Sequence, residues 1–501
     1  MNRPNFVYIL ADDMGYGDLS CLNGNCGFRT PNLDRLAAEG MAFTDAHSSS
    51  AVCTPSRYSI LTGRYNWRSE LKYGVLHGYS PHLIEPGRMT VATYLKEHGY
   101  HTACIGKWHL GMDMPLKNGE WITHEAFGEW PRGAYPDVDF SRPLRNGPCS
   151  YGFDRFYGIS GSLDMAPYVY WENSRATELP DREFPGDDSP KGLCRRGPQA
   201  PHFRHERVTP ELTERSCRYI EEQAKSGEPF FLYFPLPSPH TPILPEEFTG
   251  KSGTNEYGDF CLMVDWCVGR IMETLEANGV ADNTVLVFTS DNGCSPNAGF
   301  EELKKFGHNP SYVFRGHKAD IYEGGHRIPL LVRWPERIPA GTVSSETVCL
   351  SDLMATCCEI LGETLPYNAG EDSVSNLSVW LGKSLDRPLR EATVHHSVFG
   401  NFSIRQGRWK LELCPGSGGW SYPAPGEEPE GSPQIQLYDL SCDISERENC
   451  CGEHPDVVAA LTGLLTRYVL EGRSTPGLAQ SNTGAKYWPE LNWLTSNLTN
   501  E

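Results

Sequence analysis

The residues with the clearest chemical potential form the pentapeptide CTPSR at positions 53–57, which the sequence places at the start of a helix. Pro55 suits the first helical position because its fixed φ and missing N–H are harmless there, and the helix is predicted to run to about Gly63. Cys53 then lies beside free N–H groups and the positive end of the helix dipole, which both favour an anionic oxygen. Arg57 falls on the same face one turn later. The pattern indicates nucleophilic attack on an anion; the alternative is a small buried cysteine.

A second group of residues offers only oxygen ligands. Asp12 and Asp13 are adjacent, and Asp291 is followed directly by Asn292. Carboxylate and amide oxygens suit a hard cation such as Ca²⁺ or Mg²⁺, and not zinc. Taken one pair at a time, a solvated turn or a helix cap explains them as well. Together they favour a metal site.

A third group would supply cations and a proton donor around a tetrahedral anion. Lys107 and His109 are two residues apart and can point to the same side of an extended chain. His240 and Lys318 lie far away in sequence, each in a polar segment. Any one of these side chains is commonly solvated or structural. Their shared position after apolar segments is the argument for a common role.

These polar groups follow short apolar runs that are rich in β-branched and aromatic residues. The predicted strands are residues 6–10, 102–105, 230–234 and 284–288. The helices predicted between them are residues 32–39, 90–98, 209–227 and 257–278. Apolar strands that alternate with helices indicate an α/β fold with a large, mostly parallel sheet covered on both faces. Because ligands bind at the carboxyl ends of such strands, the polar residues are expected to converge on one site.

The chain changes character after about Gly382. A hairpin is predicted at residues 402–405 and 409–413, a further strand at 436–440 and an amphipathic helix at 455–470. The Gly-, Pro- and Glu-rich segment 415–433 is predicted to be an exposed linker. We therefore expect a catalytic domain, residues 1–382, and a C-terminal subdomain, residues 383–501, built of a smaller antiparallel sheet and one helix.

Residues 111–207 are rich in proline, glycine and aromatic side chains. They are predicted to form long loops and short elements over the site. The aromatic residues either stack against a sugar or pin the loops to the body of the protein. They are Trp121, Trp130, Tyr135, Tyr168, Tyr170 and Trp171.

Composition excludes several classes of partner. The 501 residues carry a net charge of −20 with a pI of about 5.3, which disfavours nucleic acid because phosphate binding needs a basic surface. No apolar run approaches the roughly 20 residues that span a bilayer, so no membrane partner is expected. Without a recognisable signal peptide the chain is expected to be cytoplasmic; the alternative is export with the leader removed. The 17 cysteines include no C-x-x-C pair and are expected to be reduced and mostly buried, with a disulfide framework as the alternative.

Six ordered motifs resemble those of one family, the formylglycine-dependent (type I) sulfatases of the alkaline phosphatase superfamily, and the resemblance spans nearly the whole chain. The motifs are ILADDMGYGD at 9–18, CTPSR at 53–57, LTGR at 61–64, GKWHLG at 106–111, TSDNG at 289–293 and YEGG at 322–325. The resemblance implies an alkaline-phosphatase-like sandwich. It also implies that Cys53 is oxidised to formylglycine by a formylglycine-generating or an anaerobic sulfatase-maturating enzyme.

The resemblance further implies a role for each candidate residue. The cation, Ca²⁺ with Mg²⁺ as the alternative, would be held by Asp12, Asp13, the modified Cys53, Asp291 and Asn292. Arg57 would steady the nucleophile, and His109 would be the base that collapses the intermediate. Lys107 and Lys318 would bind sulfate oxygens, while His240 would protonate the leaving oxygen.

Three functions compete on these residues. The first is hydrolysis of a sulfate ester, and the second is a phosphodiesterase or phosphonate monoester hydrolase of the same superfamily. The third is a catalytically inactive binding protein. Asn292 in place of a histidine argues against a two-zinc phosphatase, and the complete set from Asp12 to Lys318 argues against an inactive protein.

Substrate identity depends on weaker signals. The segment YGFD at 151–154 and the C-terminal strands resemble relatives of arylsulfatase A and N-acetylgalactosamine-6-sulfatase. They favour a sulfated sugar, such as an N-acetylhexosamine or a glycosaminoglycan-derived saccharide, over a simple aryl sulfate. The net charge of −20, which repels a long polyanion, predicts exo-acting removal of sulfate from mono- or short oligosaccharides. His396 is a candidate substrate-binding residue; the alternative is a surface or interdomain histidine.

Overall fold

The computed structural model describes residues 3–123 and 135–494. Trp130, one of the candidate stacking residues, lies outside the described residues. The dominant feature is a ten-stranded sheet. The strands of the described chain are β1 Asn5–Ala11, β2 Met41–Phe43, β3 Ala46–His47, β4 His101–Lys107, β5 Arg155–Ile159, β6 Trp171–Glu172, β7 Arg175–Ala176, β8 Arg182–Phe184, β9 Gly197–Gln199, β10 Phe230–Pro235, β11 Thr284–Ser290, β12 Leu330–Arg333, β13 Thr342–Ser344, β14 Val348–Cys349, β15 Thr393–His396, β16 Phe402–Gln406, β17 Trp409–Glu412 and β18 Gln436–Asp439.

Helices cover the sheet and fill its crossovers. The α-helices of the described chain are α1 Pro31–Glu39, α2 Cys53–Thr62, α3 Val91–Glu97, α4 Val208–Ser226, α5 Glu256–Ala277, α6 Phe300–Leu303, α7 Glu323–His326, α8 Leu353–Ile360, α9 Leu377–Trp380 and α10 Pro455–Glu471. Within the described residues, no helix combines the length and the apolar character needed to cross a bilayer.

The large sheet has the order β13-β2-β12-β11-β1-β10-β4-β5-β6-β7. Its centre is parallel: β1 pairs with β10 and β11, and β4 pairs with β10 and β5. Antiparallel strands appear only toward its sides, at β12 and at β6 and β7. Every residue of β1 and β11 is buried, as expected for strands packed on both faces. The predicted mostly parallel α/β sheet is confirmed.

The start of helix α2 corrects one prediction. The helix begins at Cys53, two residues before Pro55, because Val52 is extended with φ −146° and ψ 159° and forms the N-cap. Pro55 still lies in the first turn, where the missing N–H has no intrahelical acceptor to lose. At the other end, Gly63 adopts φ 63° and closes the helix in the left-handed conformation.

The predicted small antiparallel sheet is also present. Strands β15, β16, β17 and β18 are adjacent in that order, and every pairing is antiparallel. Helix α10 packs on this sheet through buried residues that include Leu461 and Leu465. Beyond α10 the chain returns to the segment that follows α2, where Arg64 Nη2 donates to Ser481 O at 2.6 Å. A domain boundary near residue 382 stays a prediction.

The aromatic-rich region 111–207 contains more sheet than its sequence suggests. Strand β5 lies inside it and extends the central sheet next to β4. Tyr168 and Trp171 are 1% and 0% exposed, so these two side chains pin the region to the protein body. All 17 cysteines are unpaired and most are buried, which matches the prediction of free thiols.

Candidate active site

The candidate residues meet at the carboxyl edge of four neighbouring parallel strands. Strands β11, β1, β10 and β4 lie side by side in the sheet. The residues that follow them are Asp291 and Asn292 after β11, Asp12 and Asp13 after β1, His240 after β10, and Lys107 and His109 at and after the end of β4. The convergence predicted from the strand ends is therefore what the fold produces.

The centre of the site is a fully buried acidic cluster. One carboxylate oxygen each from Asp12, Asp13 and Asp291, together with Cys53 Sγ, lie within 4.8 Å of one another. Asp13 adopts the left-handed conformation, φ 67°, and so turns away from the β1 direction. Asn292 donates from Nδ2 to Asp13 Oδ1 at 2.7 Å, and its own Oδ1 is buried without a hydrogen-bond partner. Asp12 Oδ1 is likewise buried without a hydrogen-bond partner, and a group of buried oxygen atoms of this kind is the ligand set that a hard cation prefers.

Each of the three carboxylates forms an ion pair with a different lysine or arginine side chain. Lys107 Nζ lies 2.7 Å from Asp12 Oδ2, and Lys318 Nζ lies 2.6 Å from Asp13 Oδ2. The third pair, Arg57 with Asp291, is 2.7 Å between Nη2 and Oδ2. All six side chains are at most 7% exposed. Charges this deeply buried persist only when paired or bound to a metal.

The pKa values show that negative charge is still crowded here. Burial would raise the pKa of Asp12, but Lys107 and the neighbouring cations outweigh it and hold the pKa well below its usual value. Burial and the charge of Asp12 raise the pKa of Asp291 to about 7, although Arg57 opposes them. For Lys318, burial acts to lower the pKa, yet Asp13 reverses the effect and raises it. A divalent cation would relieve this crowding.

Cys53 is positioned but is not activated as a thiolate. It is the first residue of α2 and is 2% exposed. Burial raises the pKa of its thiol well above the usual range, even with Lys107 and Lys318 nearby. Because the thiolate is the reactive form of cysteine, the unmodified side chain is a poor nucleophile in this environment.

His109 carries a free basic nitrogen. It has φ 55°, is 1% exposed, and its Nε2–H donates to Leu76 O at 2.7 Å. Its Nδ1 is buried and has no hydrogen-bond partner. Burial, reinforced by Lys107 and Arg57, holds the pKa of His109 well below its usual value. The imidazole is therefore neutral with an available lone pair.

His240 is the most open member of the cluster, with 12% of its side chain exposed. Its Nδ1–H donates to Thr241 O at 2.6 Å, which leaves Nε2 facing the site, 3.6 Å from Asp13 Oδ2. His240 therefore lies at the exposed edge of the cluster.

Two residues at this edge escape the sequence analysis. Lys107 Nζ donates to Ser162 Oγ at 3.1 Å, and Asp164 Oδ1 lies 3.9 Å from His240 Nδ1. Asp164 Oδ1 is buried and has no hydrogen-bond partner. Both residues follow β5. Polar residues after a predicted strand were the signal for the other site residues, and the same signal would have identified these two if β5 had been predicted.

His396 lies outside the cluster. It ends β15, is 1% exposed, and packs edge-on against Phe402 with ring centroids 4.7 Å apart. Asn66 Nδ2 lies 3.1 Å from its Nδ1, and burial lowers its pKa to about 3. Its backbone carbonyl accepts from the N–H of Ala51, in the loop that leads to Cys53. A contact between His396 and substrate stays a prediction.

Comparison with known proteins identifies the family. The family model described as Sulfatase matches residues 4–363. N-acetylgalactosamine-6-O-sulfatase of Bacteroides thetaiotaomicron is 34% identical over 504 residues, which cover 92% of this chain and 92% of that protein. Arylsulfatase A of Homo sapiens is 32% identical over 507 residues, which cover 96% of this chain and 91% of that protein.

A solved structure gives the same result. It comes from work on the metabolism of multiple glycosaminoglycans by Bacteroides thetaiotaomicron, and it matches with a TM-score of 0.79 at 33% identity, over 93% of this chain and 99% of that one. This match confirms the alkaline-phosphatase-like sandwich. The region matched by the family model contains the whole buried cluster, from Asp12 to Lys318. The chain belongs to the sulfatase family, whose members hydrolyse sulfate esters.

Proposed function

We propose that this sulfatase removes sulfate from the end of a small sulfated sugar, through a formylglycine at position 53 and a divalent cation, with Ca²⁺ preferred over Mg²⁺. The observation that carries the proposal is the convergence of Asp12, Asp13, Asp291 and Cys53 within 4.8 Å. The choice of a sugar is supported by two relatives named N-acetylgalactosamine-6-O-sulfatase and N-acetylgalactosamine-6-sulfatase, at 34% and 32% identity.

The residues present fit a hard cation. Asp12, Asp13, Asp291 and Asn292 would hold it with oxygens, two of which, Asp12 Oδ1 and Asn292 Oδ1, are buried without hydrogen-bond partners. When bound, the cation supplies positive charge that favours ionisation of the attacking hydroxyl and draws in a sulfate oxygen. Lys107 and Lys318, already directed at this cluster, add the remaining positive charge for the sulfate.

The first chemical step uses the hydrated aldehyde at position 53. One hydroxyl of its geminal diol, after losing its proton to water, attacks sulfur while the bond from sulfur to the sugar oxygen breaks. His240, with Nε2 on the open side of the site, protonates the departing oxygen. The products of this step are the free sugar hydroxyl and a sulfated residue 53.

The second step explains why an aldehyde serves better than a plain hydroxyl. A serine would be left as a stable sulfate ester, whereas the second hydroxyl of the diol can lose its proton and form C=O as the bond from carbon to the sulfate oxygen breaks. His109 Nδ1, buried and unpartnered, is the group we assign to take that proton. Sulfate leaves, and water rehydrates the aldehyde. No second attack at sulfur is needed.

The nucleophile is tested by mass spectrometry and mutation. Protein produced together with a formylglycine-generating or anaerobic sulfatase-maturating enzyme should show the Cys53 peptide with the mass change from thiol to aldehyde. Cys53→Ala should abolish turnover with the fold unchanged, and Cys104→Ala, at another buried cysteine, should remain active. Full activity with a wholly unmodified Cys53 would refute the proposal.

The substrate class is tested separately with defined sulfated mono- and disaccharides, an aryl sulfate and a phosphodiester. We expect the highest kcat/KM on a sulfated N-acetylhexosamine. Preference for the phosphodiester would favour the phosphodiesterase alternative. Absence of turnover on every substrate by fully modified protein would favour an inactive binding protein.

The cation is tested by chelation. Removal of divalent ions should inactivate the enzyme, and Ca²⁺ or Mg²⁺ should restore it. Asp13→Ala or Asp291→Ala should lower kcat by several orders of magnitude. Recovery with zinc alone would show that the oxygen-ligand assignment is wrong.

A further inference from the structure

A second buried cluster contains three histidines that the mechanism above does not use: His47, His326 and His395. They end β3, end α7 and lie within β15, so they come from distant parts of the sequence. All three are 0% exposed. One ring nitrogen of each lies within 4.8 Å of one ring nitrogen of the other two.

One nitrogen of each ring faces an oxygen acceptor. For His47, His326 and His395 in turn, the facing atoms are Asp45 Oδ1 at 2.8 Å, Ile321 O at 3.1 Å and Ser48 O at 3.1 Å. A carbonyl oxygen requires an N–H opposite it, so His326 Nε2 and His395 Nδ1 carry the ring protons. Their other nitrogens, His326 Nδ1 and His395 Nε2, present lone pairs. Metal-binding histidines show this arrangement, with the distal N–H held by a carboxylate or a backbone carbonyl.

With both rings neutral, the contact between His47 and His326 brings a lone pair of His47 close to a second lone pair or to a carboxylate. Their Nδ1 atoms are 3.0 Å apart. If His47 carries its proton on Nε2 and donates to Asp45, two lone pairs face each other across that distance. If the proton is on Nδ1, it donates to His326 Nδ1, and the lone pair of His47 Nε2 accepts from Arg405 Nη1 at 3.1 Å while it also faces the Asp45 carboxylate at 2.8 Å. A cation shared by the two Nδ1 atoms satisfies both contacts.

The dimensions suit a transition metal. Two imidazole nitrogens bound to one tetrahedral zinc ion, at about 2.0–2.1 Å each, lie about 3.3 Å apart. The observed separation is 3.0 Å, and His395 Nε2 is buried nearby without a hydrogen-bond partner. A purely imidazole ligand set favours zinc, copper, nickel or iron and disfavours Ca²⁺.

We propose that His47, His326 and His395 form a binding site for a transition-metal ion that prefers imidazole ligands, zinc in the first instance. The site is distinct in ligand chemistry from the oxygen cluster at Asp12. It joins a strand and a helix of the first domain to the first strand of the C-terminal sheet. Its role is structural: the ion fastens the small sheet to the catalytic domain. The rings of His326 and His395 are parallel, with centroids 3.8 Å apart. To bind one ion, the two rings must tilt so that their free nitrogens point at the same place.

Metal content tests the proposal. The parent protein and its variants His47→Gln, His326→Gln and His395→Gln are produced with zinc, desalted in excess Ca²⁺ and analysed by elemental mass spectrometry. Cys53→Ala serves as the background, so that this thiol cannot hold zinc. The matched control is His308→Gln, a buried histidine bonded to Asp18 at 2.8 Å. We expect the parent and the control to retain about one more equivalent of zinc than each cluster variant. Equal zinc in all five proteins overturns the proposal.

A second measurement needs no variant. Anomalous X-ray scattering at the zinc edge of crystals of the wild-type protein should show a peak between the three rings, with the rings of His326 and His395 splayed. A map without that peak, in which a proton alone bridges His47 and His326, overturns the proposal, as does a peak only at cysteine sulfur. Removing the ion should also lower the Tm of wild type and leave that of a folded cluster variant unchanged.

Discussion

Arg57 donates from both Nε and Nη2 to the same carboxylate oxygen of Asp291, Oδ2, at 3.0 and 2.7 Å. The other oxygen, Oδ1, accepts from the backbone N–H of Asp13 at 3.1 Å. Arg57 Nη1 also donates to Lys107 O at 3.1 Å. These contacts fix the plane of a candidate metal ligand. Within the described structure, Arg57 therefore orients Asp291, and we predict that it acts on the proposed cation site through this carboxylate as well as through its charge.

Arg57→Lys should weaken cation binding. A lysine keeps the charge but cannot reproduce the two-pronged contact that orients Asp291. We expect a 10–100-fold loss of Ca²⁺ affinity, the scale typical for residues that support metal ligands, together with a lower kcat. The measurement is the Ca²⁺ dependence of both activity and Tm. Arg155→Lys, at an arginine paired on the surface with Glu222, is the matched control. A lower kcat with unchanged Ca²⁺ affinity would instead assign Arg57 to the nucleophile directly.

His109→Ala should stall the reaction after the first step. The sugar is released, but nothing accepts the proton of the second hydroxyl, so kcat falls by about 10²–10⁴-fold. Rapid-quench kinetics should show a burst of sugar equal to the enzyme concentration, and intact mass should show one added sulfuryl group. His240→Ala is the contrasting variant: it slows the first step, accumulates no adduct and is rescued by an aryl sulfate with an acidic phenol. Linear kinetics and no adduct in His109→Ala would contradict the assignment.

Arg68 and Asp372 form a buried ion pair whose loss should be pH-dependent. Nε and Nη2 of Arg68 donate to Oδ2 and Oδ1 of Asp372 at 2.7 and 2.9 Å, and neither side chain is exposed. Burial acts to raise the pKa of Asp372, but Arg68 outweighs it and the pKa lies below its usual value. The pair therefore stabilises the fold above the unfolded pKa of about 3.9, and this contribution is lost as the pH falls through the lower, folded value.

Arg68→Met leaves the carboxylate of Asp372 buried and unpaired, and should lower the free energy of unfolding by about 3–5 kcal/mol at pH 7. The deficit relative to wild type should shrink toward pH 4, because a protonated Asp372 needs no cation. Urea unfolding at several pH values measures both effects. Arg155→Met, at an exposed pair with Glu222, should cost no more than about 1 kcal/mol. A deficit that is independent of pH would contradict this explanation.

The sequence was sufficient to predict the site residues that follow long apolar strands. Asp12, His240 and Asp291 come after strands whose every residue is buried, and such runs are readable because both faces of a parallel sheet need apolar side chains. The same rule failed at β5, Arg155–Ile159, a five-residue strand interrupted by Gly158. Missing that strand hid Ser162 and Asp164.

Contacts between residues that are distant in the chain leave no local pattern in the sequence from which they could be predicted. His47, His326 and His395 are far apart in sequence and become neighbours only when β15 packs near β3 and α7. The pairing of Arg57 with Asp291 is equally non-local, since 234 residues separate them. The sequence predicted that both belong to one site, but the contact of two Arg57 nitrogens with one oxygen of Asp291 depends on how the fold brings α2 and the end of β11 together.

Substrate size should depend on salt. The protein carries a net charge of −20 and repels a long polyanion at low ionic strength, where the Debye length is roughly 30 Å at 0.01 M. A single sulfate is still attracted locally, because Lys107, Lys318 and a divalent cation act at a few ångströms, where salt screens little. We expect much higher kcat/KM on a sulfated mono- or disaccharide than on intact polymer. The difference in kcat/KM between the two substrates should narrow at about 0.15 M salt, where the Debye length falls to about 8 Å.

The prediction is checked by the ratio of kcat/KM on the two substrates across this salt range. The control is an uncharged aryl group that carries one sulfate. Equal efficiency on polymer and disaccharide at low salt would refute exo-acting specificity set by charge.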